Sequence, residues 1–266
     1  MKKLIKTVLV VLLALGVFAG CKKQKDEMVL VVGATPEPHA AILALLVDDL
    51  AEEGITLQIR EFTDYSTPNE AVESGEIDAN FFQHIPYQNS FNSERGYHLV
   101  DVASVHIEPL ALYSKKYTSL EDIPSGAVIA VPNDPTNEGR ALLLLESAGL
   151  ITLNPDAGLT ATPIDITENA KNFRFREIEA ASLPRVLADV DAAIINGNYA
   201  LPAGLTAARD GLLVEGSDSP YVNVVTVKAG SEDKPKIKAL VKAILSPEVK
   251  EYILLSYPDG DVIPVF

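Results

Sequence analysis

The segment Asp134-Pro135-Thr136-Asn137-Glu138-Gly139-Arg140 carries the residue types that hold a small anion. It follows a β-branched run and opens a helical one, so free backbone N–H groups point out of the strand end. Arg140 adds a cation where the helix dipole already disfavours one, which asks for a compensating anion. A guanidinium fork matches a carboxylate bidentately. Pairing with a neighbour such as Glu138 or Asp134 is the alternative that spacing leaves open. Gly139 costs about 1 kcal/mol inside a helix and leaves room for a ligand or another backbone to come close.

A second group of candidates is aromatic. Asn80-Phe81-Phe82-Gln83-His84 ends a strand-like run, in which Phe81 and Phe82 point to opposite faces. One enters the core, and the other, with His84, is placed to line a cleft. Tyr65 ends the preceding strand region and Tyr87 follows in the next helix. Such a ring suits a soft apolar group, a thioether included, through sulfur–aromatic contacts of about 0.3–1.5 kcal/mol; ordinary core packing with a satisfied histidine is the competing reading. Asn196-Gly197-Asn198 and Tyr221-Val222-Asn223 put neutral amides at strand ends. An Asn carbonyl oxygen accepts from an ammonium, although Asn and Gly also dominate turns. Turn chemistry is the reading for Asn198, while Asn196 and Asn223 stay open to both. His39 and His98 read as structural or surface residues, and His106 is a cleft candidate.

Catalytic signatures are missing from the chain: it contains no GxSxG, GxxxxGK[ST], HExxH or CxxC pattern. No catalytic residue, metal ligand set or cofactor is therefore expected. With 22 basic and 37 acidic residues in 266, the net charge is −15. That field repels phosphate backbones, so nucleic acid is not an expected partner. A single cysteine excludes a disulfide framework.

These residues need a scaffold. Met28 to Ala34 reads as a buried strand. Pro38 opens a helix with Ile42, Leu43, Leu46 and Leu50 on one face, stopped by Gly54. Strands over 55–62 and 77–82 flank a helix from Thr67 to about Gly75, and 85–96 is helical. The segment 99–113 is extended, interrupted at Glu108-Pro109. Further on, 127–131 is a strand, Asp134 caps a helix from Pro135 to Ser147, 173–178 alternates, 183–188 is helical and 192–195 is a strand. The C-terminal part reads as a strand over 221–227 and two amphipathic helices, 236–245 and 247–255. This βαβ alternation predicts an α/β protein with mostly parallel sheets. Two such units without a Pro/Ser-rich linker predict two lobes with a ligand cleft between them, outside the strand ends. The expected partition is residues 28–112 with 200–266 in the first lobe and 113–199 in the second.

The first twenty residues are a separate object. Lys2, Lys3 and Lys6 precede an uncharged run from Thr7 to Gly20, shorter than the roughly 20 apolar residues that span a bilayer. It reads as an export signal. Ala19 and Gly20 before Cys21 resemble a lipobox, although Phe18 stands where Leu is usual; the cysteine sulfur would then carry a diacylglyceryl group and become the mature N-terminus. Residues 21–27 form a lysine-bearing tether. Without the first twenty residues, which hold three lysines, the formal charge is −18. The expected location is the outer face of the plasma membrane or a periplasm-facing membrane, reached through the lipid anchor.

Several motifs together resemble the NlpA/MetQ family of methionine-importer lipoproteins. They are Gly33-Ala34-Thr35-Pro36, Phe62-Thr63-Asp64-Tyr65, Pro68-Asn69-Glu70-Ala71, residues 77–84, residues 131–137, Gly139-Arg140, Ser219-Pro220-Tyr221-Val222-Asn223 and the terminal Val262-Ile263-Pro264-Val265-Phe266. The resemblance implies a type II periplasmic-binding-protein-like fold that closes on L-methionine, with D-methionine or methionine peptides as further candidates. It also implies delivery to an ABC importer's permease and ATPase complex. Arg140 would hold the α-carboxylate, Asn196 and Asn223 the α-amino group, and Tyr65, Phe82, His84 and Tyr87 the side chain. Other readings remain: a receptor for another small apolar amino acid, a metal receptor using His84 and His106, a hydrolase using the same cleft, and an adhesin.

Overall fold

A computed structural model describes residues 28–216 and 219–266. The export run, Cys21 and the tether lie outside the described residues. The first sheet holds β1 (Met28–Ala34), β2 (Ile55–Glu61), β3 (Ala79–His84), β4 (Leu99–Ile107), β12 (Val222–Lys228) and β13 (Ile263–Pro264), in the order β13-β4-β12-β3-β1-β2. The second holds β5 (Ala111–Tyr113), β6 (Val128–Pro132), β9 (Arg174–Ile178), β10 (Ala192–Ile195) and β11 (Leu213–Val214), in the order β11-β5-β10-β6-β9. β7 (Thr152–Leu153) and β8 (Ile166–Glu168) pair apart from both. Each large sheet has a parallel half, β3-β1-β2 and β10-β6-β9. The remaining large-sheet pairs, such as β12–β3 and β10–β5, are antiparallel.

Parallel strands must be covered on both faces, and the side-chain alternation of each strand supplies the two surfaces. On β10, Ile194 enters one apolar cluster with Ile129, Leu142 and Leu145 of the Pro135–Ser147 helix. Its neighbours Ala193 and Ile195 enter another with Leu183 and Leu187. In the first sheet Leu30 and Val32 pack with Ile42, Leu43, Leu46 and Leu50. Val31 faces Ala71, Val72 and Ile77 instead.

The four expected apolar positions of the first helical region are buried, yet the region is not one helix. A turn over Pro36–Ala40 precedes helices Ala41–Ala44 and Val47–Glu52. Glu37 is extended, at φ −118° and ψ 139°, because a residue before proline is pushed out of the helical region. The Pro135–Ser147 helix has the expected ends, and the Asp134 side chain caps it by accepting from the Asn137 N–H.

The chain leaves the first sheet at Ile107 and enters the second at Ala111, through Glu108-Pro109-Leu110; it returns between Val214 and Val222. The second sheet is thus wider in sequence than the expected 113–199. β5 pairs with both β10 and β11, which draws Ala111–Tyr113 and Leu213–Val214 into it. Gly139 serves the approach of another backbone: a Cβ there would stand 2.3 Å from the Leu159 carbonyl oxygen. Gly139→Ala therefore forces the helix off the Gly158–Thr160 turn. It is expected to cost about 1–3 kcal/mol, read as a lower midpoint in urea unfolding with an unchanged slope.

Candidate functional site

The C-terminal end of β3, the loop after β10 and the first turns of the Pro135–Ser147 helix converge on one pocket. All seven sequence-proposed positions, Tyr65, Phe82, His84, Tyr87, Arg140, Asn196 and Asn223, line it. Glu108, Asn137 and Asn198 line it too, and the sequence reading had assigned none of them to a ligand.

One end is aromatic. Phe81 turns into the core and Phe82 into the pocket, as strand alternation requires. Ring centroids of Tyr65, Phe82 and Tyr87 lie 5.8–6.0 Å apart, and the Tyr87 hydroxyl donates to the Tyr65 carbonyl at 3.0 Å. The other end is polar, and its hydrogen bonds fix which atoms remain free. His84 Nδ1 accepts the Tyr87 N–H at 3.1 Å, capping the Ile85–Arg95 helix. The proton therefore sits on Nε2, which donates to Asn137 Oδ1 at 3.1 Å. Asn137 Oδ1 also accepts from Asn196 Nδ2 at 2.7 Å, while Asn137 Nδ2 donates to the Asp134 carboxylate. Asn196 Oδ1 is left buried without a partner, an acceptor of the kind expected for an ammonium.

Asn223 departs from that expectation. Its Oδ1 accepts from His39 Nε2 at 3.2 Å, and His39 Nδ1 takes the Thr35 hydroxyl at 2.7 Å. The free end of Asn223 is consequently its NH₂, a donor. Asn198 is more than a turn residue. Its Oδ1 accepts the Tyr65 hydroxyl at 2.6 Å, and its buried Nδ2 has no partner.

Arg140 also differs from the expected lone cation. Its partner is neither Glu138 nor Asp134 but Glu215: Nε donates to Oε1 at 2.9 Å and Nη2 to Oε2 at 2.5 Å. Nη2 donates as well to the Glu108 carbonyl at 2.8 Å, and the guanidinium lies 4.3 Å from the Tyr221 ring centre. The bidentate edge is thus occupied. Nη1 has no hydrogen-bond partner among the described residues, and Arg140 lines the pocket.

Beneath the polar end lie His39, His106 and Glu108, the group of possible metal donors that converges among the described residues. His106 Nε2 donates to Glu108 Oε1 at 2.8 Å, and His39 Nε2 lies 3.3 Å from the same oxygen. The expected alternative of a metal held by His84 and His106 does not form, because His84 is committed to Tyr87 and Asn137. Burial holds these three histidines neutral, His84 in the pocket lining at about 3, and beneath it His39 at about 4 and His106 at about 3. Burial acts in the opposite sense on Glu108, raising its pKa, and pushes Glu138 up to about 7.

Two α/β units with a polar-ended aromatic pocket at their junction define a class: two-lobed periplasmic-binding-type folds. The chain belongs to the NlpA lipoprotein family, whose profile matches residues 30–266. It is 48% identical over 252 residues to membrane lipoprotein TpN32 of Treponema pallidum, spanning 95% of this chain and 93% of that protein. It is 44% identical over 238 residues to the D-methionine-binding lipoprotein MetQ of Salmonella typhimurium, spanning 88% of each. A solved nutrient binding protein from Burkholderia cenocepacia, bound to methionine, is 46% identical. It superposes with a TM-score of 0.85 over 89% of this chain and 100% of that one.

The buried histidines make a pH prediction. Their folded pKa values lie below the unfolded value of about 6.5, so the unfolded chain binds more protons as pH falls. Their contribution is fully present above pH 6.5 and is lost progressively down to pH 4 and then 3. Glu108 and Glu138 act in the opposite sense, so total stability mixes the two. The imidazole C–H shifts separate them: by NMR, His39, His84 and His106 are expected to stay untitrated from pH 8 to pH 5. A midpoint near 6.5 for His84 would contradict the hydrogen-bond assignment above.

Proposed function

We propose that this protein is the exported, lipid-anchored receptor of an ABC importer. It binds L-methionine between its lobes, with D-methionine and methionine peptides as further candidates, and presents the ligand to the permease and ATPase complex. It is a binding protein rather than an enzyme. The observation that carries the reading is the pocket itself: an aromatic box at one end, and at the other an unpaired buried acceptor, Asn196 Oδ1, in a lining shared with Arg140, Asn198 and Asn223. A thioether suits the first end and a zwitterion the second. Relatives named for methionine binding, at 44% identity over 88% of the chain, support the ligand class.

In this reading Tyr65, Phe82, His84 and Tyr87 surround the side chain, His84 as a neutral ring. Arg140 gives its Nη1 edge to the carboxylate, Asn223 contributes a donor, and Asn196 accepts from the ammonium. The lobes follow the sheets, with the crossings at 107–111 and 214–222. Cys21 carries the lipid, and residues 22–27 hold the lobes off the membrane surface. Between similar apolar amino acids, a methylene in such a pocket is worth about 1–3 kcal/mol, which sets the scale of selectivity.

Two measurements test the proposal. The purified protein is denatured and any released small molecule identified by mass spectrometry. The ligand-free protein is then melted with a panel of amino acids. L-methionine at about 100 times its Kd is expected to stabilise by roughly 2.7 kcal/mol, whereas a panel with no shift would remove the receptor reading. Asn196→Ala is expected to weaken binding by about 10- to 100-fold, the cost of one buried hydrogen bond, with little loss of fold. Arg140→Ala is expected to abolish binding and also to lower stability, since it leaves Glu215 without its cation.

A further inference from the structure

The charges around the pocket are unevenly matched. Arg140 is neutralised before any ligand arrives, by the two-point contact with Glu215. Glu108 is not. Its side chain is only 6% exposed, and its carboxylate meets His106 Nε2 at 2.8 Å and His39 Nε2 at 3.3 Å, both neutral rings. No Lys or Arg hydrogen-bonds that carboxylate among the described residues: Arg140 donates to the Glu108 backbone carbonyl, while its charge and the Asn198 backbone N–H also act on the carboxylate. A buried carboxylate without a cation is a costly arrangement. Yet the surroundings are built to hold this one in place. The His106 N–H donates to Oε1, His39 Nε2 stands 3.3 Å from the same oxygen, and Gly197 clears space beside Oε2, where a Cβ would stand 2.8 Å away. The unpaired Asn196 Oδ1 lines the same pocket. The missing partner is therefore a compact cation with several N–H donors.

We propose that Glu108 is the counter-ion for the ligand's α-ammonium group, and that His39 and His106 are positioning residues that hold its carboxylate toward the pocket. This deepens the receptor reading above and rests on it. The consequence is a specificity rule: the site takes α-amino acids and rejects the corresponding α-hydroxy acids, which offer no charge to Glu108. The neutral hydroxyl would leave the carboxylate buried and uncompensated. A site built around a buried polar partner discriminates far more strongly than an apolar wall does. A divalent metal among His39, His106 and Glu108 is the competing occupant. It would need the Nε2 lone pairs, where the structure places the protons donated to Glu108 and Asn223.

The test is calorimetric titration of the purified lipoprotein with L-methionine and with its α-hydroxy analogue, 2-hydroxy-4-(methylthio)butanoate. Wild-type protein is expected to bind the amino acid at least about 100-fold more tightly. Glu108→Gln is expected to weaken methionine by a similar factor and to change the hydroxy analogue by less than about threefold, so that the preference collapses. Gly197→Ala, which displaces the carboxylate without removing its charge, is expected to shift the preference in the same direction and serves if the glutamine variant does not fold. Prior treatment with a chelator is expected to leave both affinities unchanged. An undiminished preference in both variants, a wild-type protein that does not distinguish the pair, or binding lost to the chelator would overturn the assignment. Should wild-type bind neither compound, the methionine reading fails on its own. The same amino/hydroxy comparison, made with the panel member that does bind, then decides the role of Glu108.

Discussion

The Asp134 carboxylate organises the junction between the two sheets. It accepts from the Asn137 backbone N–H and from the Asn137 side chain, which leaves Asn137 no freedom to rotate its amide. The amide oxygen is thereby fixed toward the pocket, where it takes one hydrogen bond from His84, at the end of β3, and one from Asn196, after β10. A helix cap, ordinarily worth about 1 kcal/mol to its own helix, here sets the orientation of a side chain from each sheet. Every free atom at the polar end follows from it. Asn196 must present its oxygen because its nitrogen is taken, and His84 must be the Nε2–H tautomer because its other nitrogen caps a helix. The same helix sets Arg140 three residues beyond Asn137, close to one turn along and hence on the same side.

Charge around this frame is unevenly matched: Arg140 is paired with Glu215, while the Glu108 carboxylate has no Lys or Arg hydrogen-bonded to it among the described residues. Arg140 and Glu215 form one buried pair, and the Tyr221 ring packs against the guanidinium. That arrangement tempers the cation instead of leaving it bare. Glu108 supplies the opposite sign from the crossing segment itself. Because its backbone carbonyl also accepts from Arg140, the two charges are fixed relative to each other by one residue. Their separation then depends on the Glu108 side chain, which the His106 N–H holds at its carboxylate end.

Much of this was legible in the sequence, and the failures share one cause. The Asp134 cap, with Pro135 in the first helical turn, follows from residue type alone. So does the split of Phe81 and Phe82 between core and pocket, which alternation dictates. The seven proposed positions converge because strand ends and helix starts in such folds face one crevice. What was not legible depends on contacts distant in sequence. Glu215 is 75 residues from Arg140, and local spacing offered only Glu138 and Asp134. The sense of the Asn223 amide is set by His39, 184 residues away. Glu108 stood next to a proline and read as a break in an extended segment, which it is, although that break is also where the chain passes beneath the pocket. His84 as a helix cap escaped notice because histidine is not among the preferred capping residues.

The bonds that join the two sides of the pocket are few. Tyr65 donates to Asn198, His84 to Asn137, and Tyr199 to the Thr63 carbonyl at 3.1 Å. Each is worth about 1 kcal/mol net, since water satisfies the same groups when the sides part. A further bond, from the Ala207 N–H to the Asp261 carboxylate at 2.6 Å, joins the same two units away from the pocket. A zwitterion bound as proposed would add charge-assisted bonds, about twice as strong as neutral ones, to groups on both sides at once. A ligand shifts such an equilibrium only by its differential affinity for the two states. On the role proposed for Glu108, the ammonium would bond a carboxylate that no Lys or Arg hydrogen-bonds among the described residues, so the ligand would favour the arrangement in which both sides reach it.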